Sequence, residues 1–91
     1  MLEPTPTTRF KKDLKKFKHQ KNSIKDLNDV IGLLIKKKPL EKKHVDHPLV
    51  GNWKNSRECH VTPDLLLIYR VDDEQRKLFL ERFGSHSELF G

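Results

Sequence analysis

A chain of 91 residues fits one small domain, residues 1–91, and with 34% hydrophobic and 35% charged residues its core must be compact under a surface that is mostly charge. The longest apolar run, residues 65–69, is far short of the roughly 20 residues a bilayer span needs. Met1-Leu2-Glu3-Pro4 lacks the basic-then-apolar order of a signal peptide, and the single Cys59 excludes an internal disulfide, so a cytoplasmic protein is expected.

The net charge of +6 is unevenly spread. Residues 1–43 hold 13 lysines and arginines against 5 acids, whereas residues 44–91 hold 6 against 8. Such a basic half attracts polyanions, RNA, DNA or an acidic protein segment among them, although lysine-rich helix faces also serve simply as solvated surface.

Pro4 to Thr8 reads as an edge strand limited by its prolines. Thr8 then caps a helix whose apolar positions Phe10, Leu14 and Phe17 recur at i, i+4 and i+7, with Lys11, Lys12, Lys15, Lys16 and Lys18 on the other faces. His19 to Asn22 is a break. A second helix, capped by Asn22 or Ser23, carries the stripe Ile24, Leu27, Val30, Ile31, Leu34 and Ile35 and is stopped by Pro39.

Residues 40–55 show no sustained period and read as a long loop, in which Trp53 anchors the segment to the core. The period then changes to two. Residues 56–62 send Arg57, Cys59 and Val61 to one face and Glu58, His60 and Thr62 to the other. Pro63-Asp64 is a turn, residues 65–71 a continuous apolar strand, 72–75 a hairpin loop and 77–83 the last strand, ended by Gly84. The expected fold is α+β, in the order β-α-α-β-β-β, with two N-terminal helices packed on a small antiparallel sheet.

His47 from the loop, His60 from a strand and His86 from the tail supply imidazoles, with Asp64, Glu58 and Arg82 nearby. Imidazoles work near neutral pH, so this set can shuttle protons at a phosphate ester, and cations stabilise the charge that develops. RNA cleavage by its own 2′-hydroxyl needs no cofactor and no glycine-rich phosphate loop. His44, His47, Cys59 and His60 superficially suggest zinc, but adjacent residues on a strand face opposite ways, so no metal centre is expected.

Three segments make the pattern specific: Asp46-His47-Pro48-Leu49-x-Gly51-x-Trp53-Lys54; Arg57-Glu58-Cys59-His60-Val61-x-Pro63-Asp64 with the strand after it; and Arg82-x-Gly84-Ser85-His86-Ser87-Glu88-Leu89-Phe90. They resemble the YafQ-type toxins of the RelE/ParE superfamily. The resemblance implies a ribosome-dependent mRNA endoribonuclease, with catalytic positions at His47, His60, Asp64 and His86. It implies phosphate contact at Arg82 and substrate positioning at Phe90, with Glu58 and then Cys59 where some relatives carry aspartate and alanine before the central histidine. Asp64 or His47 is the expected base and His86 the acid. Lys11, Lys12, Lys15 and Lys16 would hold RNA backbone. The implied partners are the ribosome with its message and a DinJ-like antitoxin with an acidic segment, through which alone operator DNA would be bound. Two rival readings stand beside it: a non-catalytic ParE-like toxin acting on DNA gyrase, and a nucleic-acid-binding domain without catalysis.

Overall fold

The computed structural model describes residues 1–91. It is an α+β fold built on a five-stranded sheet in the order β1-β5-β4-β3-β2. The strands are β1 Glu3–Pro6, β2 His47–Pro48, β3 Arg57–Thr62, β4 Leu65–Asp72 and β5 Lys77–Gly84, and the helices are α1 Thr8–Lys15, α2 Lys21–Ile35 and α3 His86–Phe90.

The sheet is mixed rather than wholly antiparallel, because β1 runs parallel to β5. Pro4 and Pro6 are tolerated there because the strand lies at the sheet edge, where missing N–H donors face no partner strand. The long loop is also more ordered than its lack of period suggests. It holds single turns of 3-10 helix at Lys42–His44 and Gly51–Trp53, and β2, which pairs His47 with Glu58 and Pro48 with Arg57. A two-residue strand is too short to leave a repeat in the sequence.

Helix boundaries differ from the sequence expectation by a residue or two. Thr7, not Thr8, caps α1: its hydroxyl accepts from Phe10 N–H at 3.1 Å and donates to the Glu81 carbonyl at 3.0 Å. Neither Asn22 nor Ser23 caps α2, which starts earlier, with the Gln20 carbonyl accepting from Ile24. Nor does Pro39 end it. Lys37 takes a left-handed conformation (φ 57°), and Lys37 and Lys38 donate to the carbonyls of Leu34 and Leu33, a Schellman closure with lysine where glycine is usual.

One face of the sheet buries the main core. Cys59, Val61, Leu67, Tyr69, Leu78, Leu80 and Phe83 meet Phe10 and Phe17 of the first helical segment and Leu27, Val30 and Leu34 of α2. The other face carries only a small cluster, Leu66, Ile68 and Leu89, with Leu49 and Trp53 against it. That thinly covered face positions the site.

Candidate active site

Strand register sets out the site. On the thinly covered face, His47 pairs with Glu58, Glu58 with Ile68, and Ile68 with Arg82, one row across β2, β3, β4 and β5. The next row on that face is His60, Leu66 and Gly84. Strand spacing puts the ends of the first row about 14 Å apart at Cα and the second row about 7 Å further along β3. His86 opens α3 two residues beyond Gly84. His47 and His60 therefore share one face, His86 opens the helix whose Leu89 packs on that face, and Asp64 stands apart on the exposed turn after β3.

The His47 ring is held by its neighbour. Nδ1 lies 2.7 Å from the Val45 carbonyl oxygen. A carbonyl only accepts, so Nδ1 carries a proton, and in the neutral ring the lone pair then sits on Nε2, the form a general base needs. Val45 adopts φ 46°, a left-handed conformation costly for a β-branched residue, which turns its carbonyl onto the ring. Glu58, the cross-strand neighbour, is only 6% exposed.

The tail is fixed by a capping box. Ser85 Oγ accepts from Glu88 N–H, and the Glu88 carboxylate accepts from Ser85 N–H at 2.8 Å, which holds that carboxyl below its ordinary range. Leu89 is buried on Leu66 and Ile68, leaving His86 and Phe90 outward with ring centroids 5.0 Å apart. Trp53 meets Phe90 edge-on at 6.5 Å and packs on the same cluster, the anchoring role its place in the loop suggests.

Arg82 is not a free cation. Its Nε and Nη2 donate to Asp13 Oδ2 and Oδ1 at 2.8 and 3.1 Å, and Asp13 Oδ2 also accepts from Phe83 N–H at 3.0 Å. Burial pushes the Asp13 carboxyl up, but these hydrogen bonds and the charges of Arg82 and Lys16 outweigh it, and the net direction is down. Asp13 belongs to none of the three motif segments. The signal was there: it lies three residues after Phe10 and four before Phe17, an acid on an apolar stripe.

A second missed group lies at the other end of the row. Tyr69 and Arg57 both reach Asp46, on the helix side of the sheet. Ser56 and Arg70 share the Glu81 carboxylate. Cys59 is sealed beneath the helices; burial, then the charges of Asp46 and Glu58, pushes its thiol up to about 12, so it is no nucleophile.

Lys11, Lys12, Lys15 and Lys16 are all exposed on or just after α1. No helix of the structure is long and apolar enough to cross a membrane.

Residues 2–91 match the family described as bacterial toxin of type II toxin–antitoxin system, YafQ. The chain is 40% identical over 83 residues to the mRNA interferase toxin YafQ of Escherichia coli K12, a span of 90% of this chain and 88% of the relative. A metal-bound toxin from Helicobacter pylori superposes with a TM-score of 0.91 at 47% identity, covering 99% of this chain and 100% of that one. A chain of the E. coli DinJ–YafQ complex gives a TM-score of 0.87 at 36% identity, with 100% of both chains covered. In this structure no three His, Cys, Asp or Glu side chains are placed together around one point, and Cys59 faces the helices while His60 faces away. A family match over nearly the whole length, with a shared fold at these identities, makes this chain a member of the YafQ family of bacterial type II toxins.

Proposed function

We propose that this protein is an mRNA interferase, an endoribonuclease that cuts messages on the ribosome. The observation that carries the reading is the shared face of His47, Glu58, His60 and Arg82, flanked by His86 and Phe90 of α3. Its E. coli relatives are named mRNA interferase toxins.

In-line attack needs a base on one side of the phosphorus and an acid on the other. His47 Nε2, free because Nδ1 is engaged, takes the proton of the 2′-hydroxyl. The 2′-oxygen bonds to phosphorus, and His86 protonates the 5′-oxygen as its bond to phosphorus breaks. The products are a 2′,3′-cyclic phosphate and a 5′-hydroxyl. Glu58 lies between His47 and His60 and balances the imidazolium formed when the base is protonated. Arg82, on the His86 side, presents the Nη1 edge that Asp13 leaves free to the negative charge on the phosphorane. Phe90, 38% exposed, offers an aromatic surface to a nucleobase. Asp64, on the exposed turn four residues after His60, is the other candidate base, and His47, with its ring held at Nδ1, is the better placed.

The lysines of α1 hold ribosomal RNA or message backbone. A DinJ is complexed with YafQ in the E. coli structure. By the same logic an antitoxin with an acidic segment inhibits this chain and brings it to operator DNA, in the cytoplasm. Expression of the wild type and His86→Ala in growing bacteria, with mapping of mRNA ends, checks the reading. The wild type is expected to arrest growth and create new message ends; equal arrest by both proteins without new ends would refute it.

A further inference from the structure

We propose that Asp13 is a positioning residue for the cleavage reaction, holding the Arg82 guanidinium, on the strand that leads to His86, with its Nη1 edge open to the phosphate. This rests on the endoribonuclease reading above.

The fold goes to some length to make this clamp. Pairing of β1 with β5 ends at Pro6 and Leu80, which leaves residues 81–84 of β5 without a strand along that edge. The segment around α1 takes over the edge instead. Thr7 N–H donates to the Leu80 carbonyl, the Thr7 hydroxyl to the Glu81 carbonyl, and Asp13 accepts from Phe83 N–H. A bulge at this point leaves Glu81 without a partner on β4, since Ile68 pairs with Arg82 and Tyr69 with Leu80. Bulges re-aim side chains beside functional sites, and here Glu81 turns to Ser56 and Arg70 while Arg82 turns to α1.

Asp13 is 4% exposed and its carboxylate is fixed by three donors, so it is a rigid fork for the guanidinium. An arginine ordered before the substrate arrives loses little freedom at the transition state, whereas an unclamped one must be ordered then. The same helical segment carries Lys11, Lys12, Lys15 and Lys16, so the element gripping RNA is also the one that sets Arg82.

Single-turnover cleavage on message-loaded ribosomes, at saturating ribosome, separates this role from a merely structural one. Wild type, Asp13→Asn, Arg82→Gln, the double variant and His86→Ala are compared, each corrected for its folded fraction. Asp13→Asn is expected to slow the wild type by about 10- to 100-fold, with little change in the ribosome concentration for half-saturation. In the Arg82→Gln background the same change is expected to alter the rate by less than about twofold, because Asp13 has nothing left to position. Equal losses in both backgrounds, or no loss in the wild type, overturn the proposal. If Asp13→Asn alone does not fold, the double variant, which removes both charges, is compared with Arg82→Gln: equal rates support the proposal and a further loss overturns it. Absence of any cleavage by the wild type would instead defeat the endoribonuclease reading itself, and full activity of His86→Ala would only take the acid's role from His86.

Discussion

The Tyr69 hydroxyl donates to Asp46 Oδ1 at 2.6 Å, and Arg57 Nε reaches the same oxygen at 3.2 Å. This pins Asp46 to the helix side of the sheet, so the next residue, His47, is delivered to the opposite face. Burial, then the hydrogen bond and charge of Asp46, pushes the Tyr69 phenol up, and it stays a donor across the working pH range. Tyr69→Phe keeps the ring and removes only the donor. Stability is expected to fall by about 1–2 kcal/mol, read as a lower urea midpoint, and cleavage to slow because the His47 loop is less fixed. An unchanged midpoint would show that the hydroxyl does nothing for the loop.

Val45 makes the opposite trade. It is 54% exposed and sits in the left-handed region at φ 46°, so it contributes little packing and holds strain. Val45→Gly is expected to raise stability by about 0.5–1 kcal/mol, the relief outweighing the extra freedom of the unfolded chain. Cleavage should fall at the same time, because the carbonyl that orients His47 is no longer held in place. A variant that is less stable, or more active, would contradict this.

Acid stability follows from Asp13. Its folded-state carboxyl lies below the ordinary 3.8, so its contribution is fully present above that value and is lost as pH falls through the folded one. Below about pH 4 the unfolded chain binds the extra proton, and unfolding free energy should drop with falling pH until the folded carboxyl is protonated too. In Asp13→Asn this part of the slope should disappear. Parallel curves for the two proteins would rule Asp13 out as its source.

Charge on α1 should appear as salt dependence. Each phosphate contact releases about 0.7–0.9 of a counterion. Replacing Lys11, Lys12, Lys15 and Lys16 by glutamine is expected to weaken ribosome binding at low salt and flatten the plot of log affinity against log salt. The fold should be untouched, since all four are exposed. A slope equal to that of the wild type would move the RNA contact elsewhere.

Periodicity made the main elements legible. The stripe of α2 and the alternation around Cys59 put helices and core on one side and His60 on the other, as the structure has them. The histidines of the motifs were visible as residue types, and strand register is what brought His47 and His60 to one face. What stayed hidden was carried by pairings without local signature: the two-residue β2, the parallel β1, the bulge at Glu81, and the long-range partners of Asp13 and Asp46. Arg82 looked like a free cation because its partner is 69 residues away in the chain.

A message with a 2′-O-methyl group at the single nucleotide preceding the cut site, presented on ribosomes to the wild-type protein, isolates the chemistry from binding. If the His47 side draws the proton from that hydroxyl, the modified message should bind as tightly as the unmodified one and stay intact at the site, while the unmodified one yields a 2′,3′-cyclic phosphate end. Cleavage of the methylated message at the same position and rate would mean that the grouped imidazoles do not work through the 2′-oxygen.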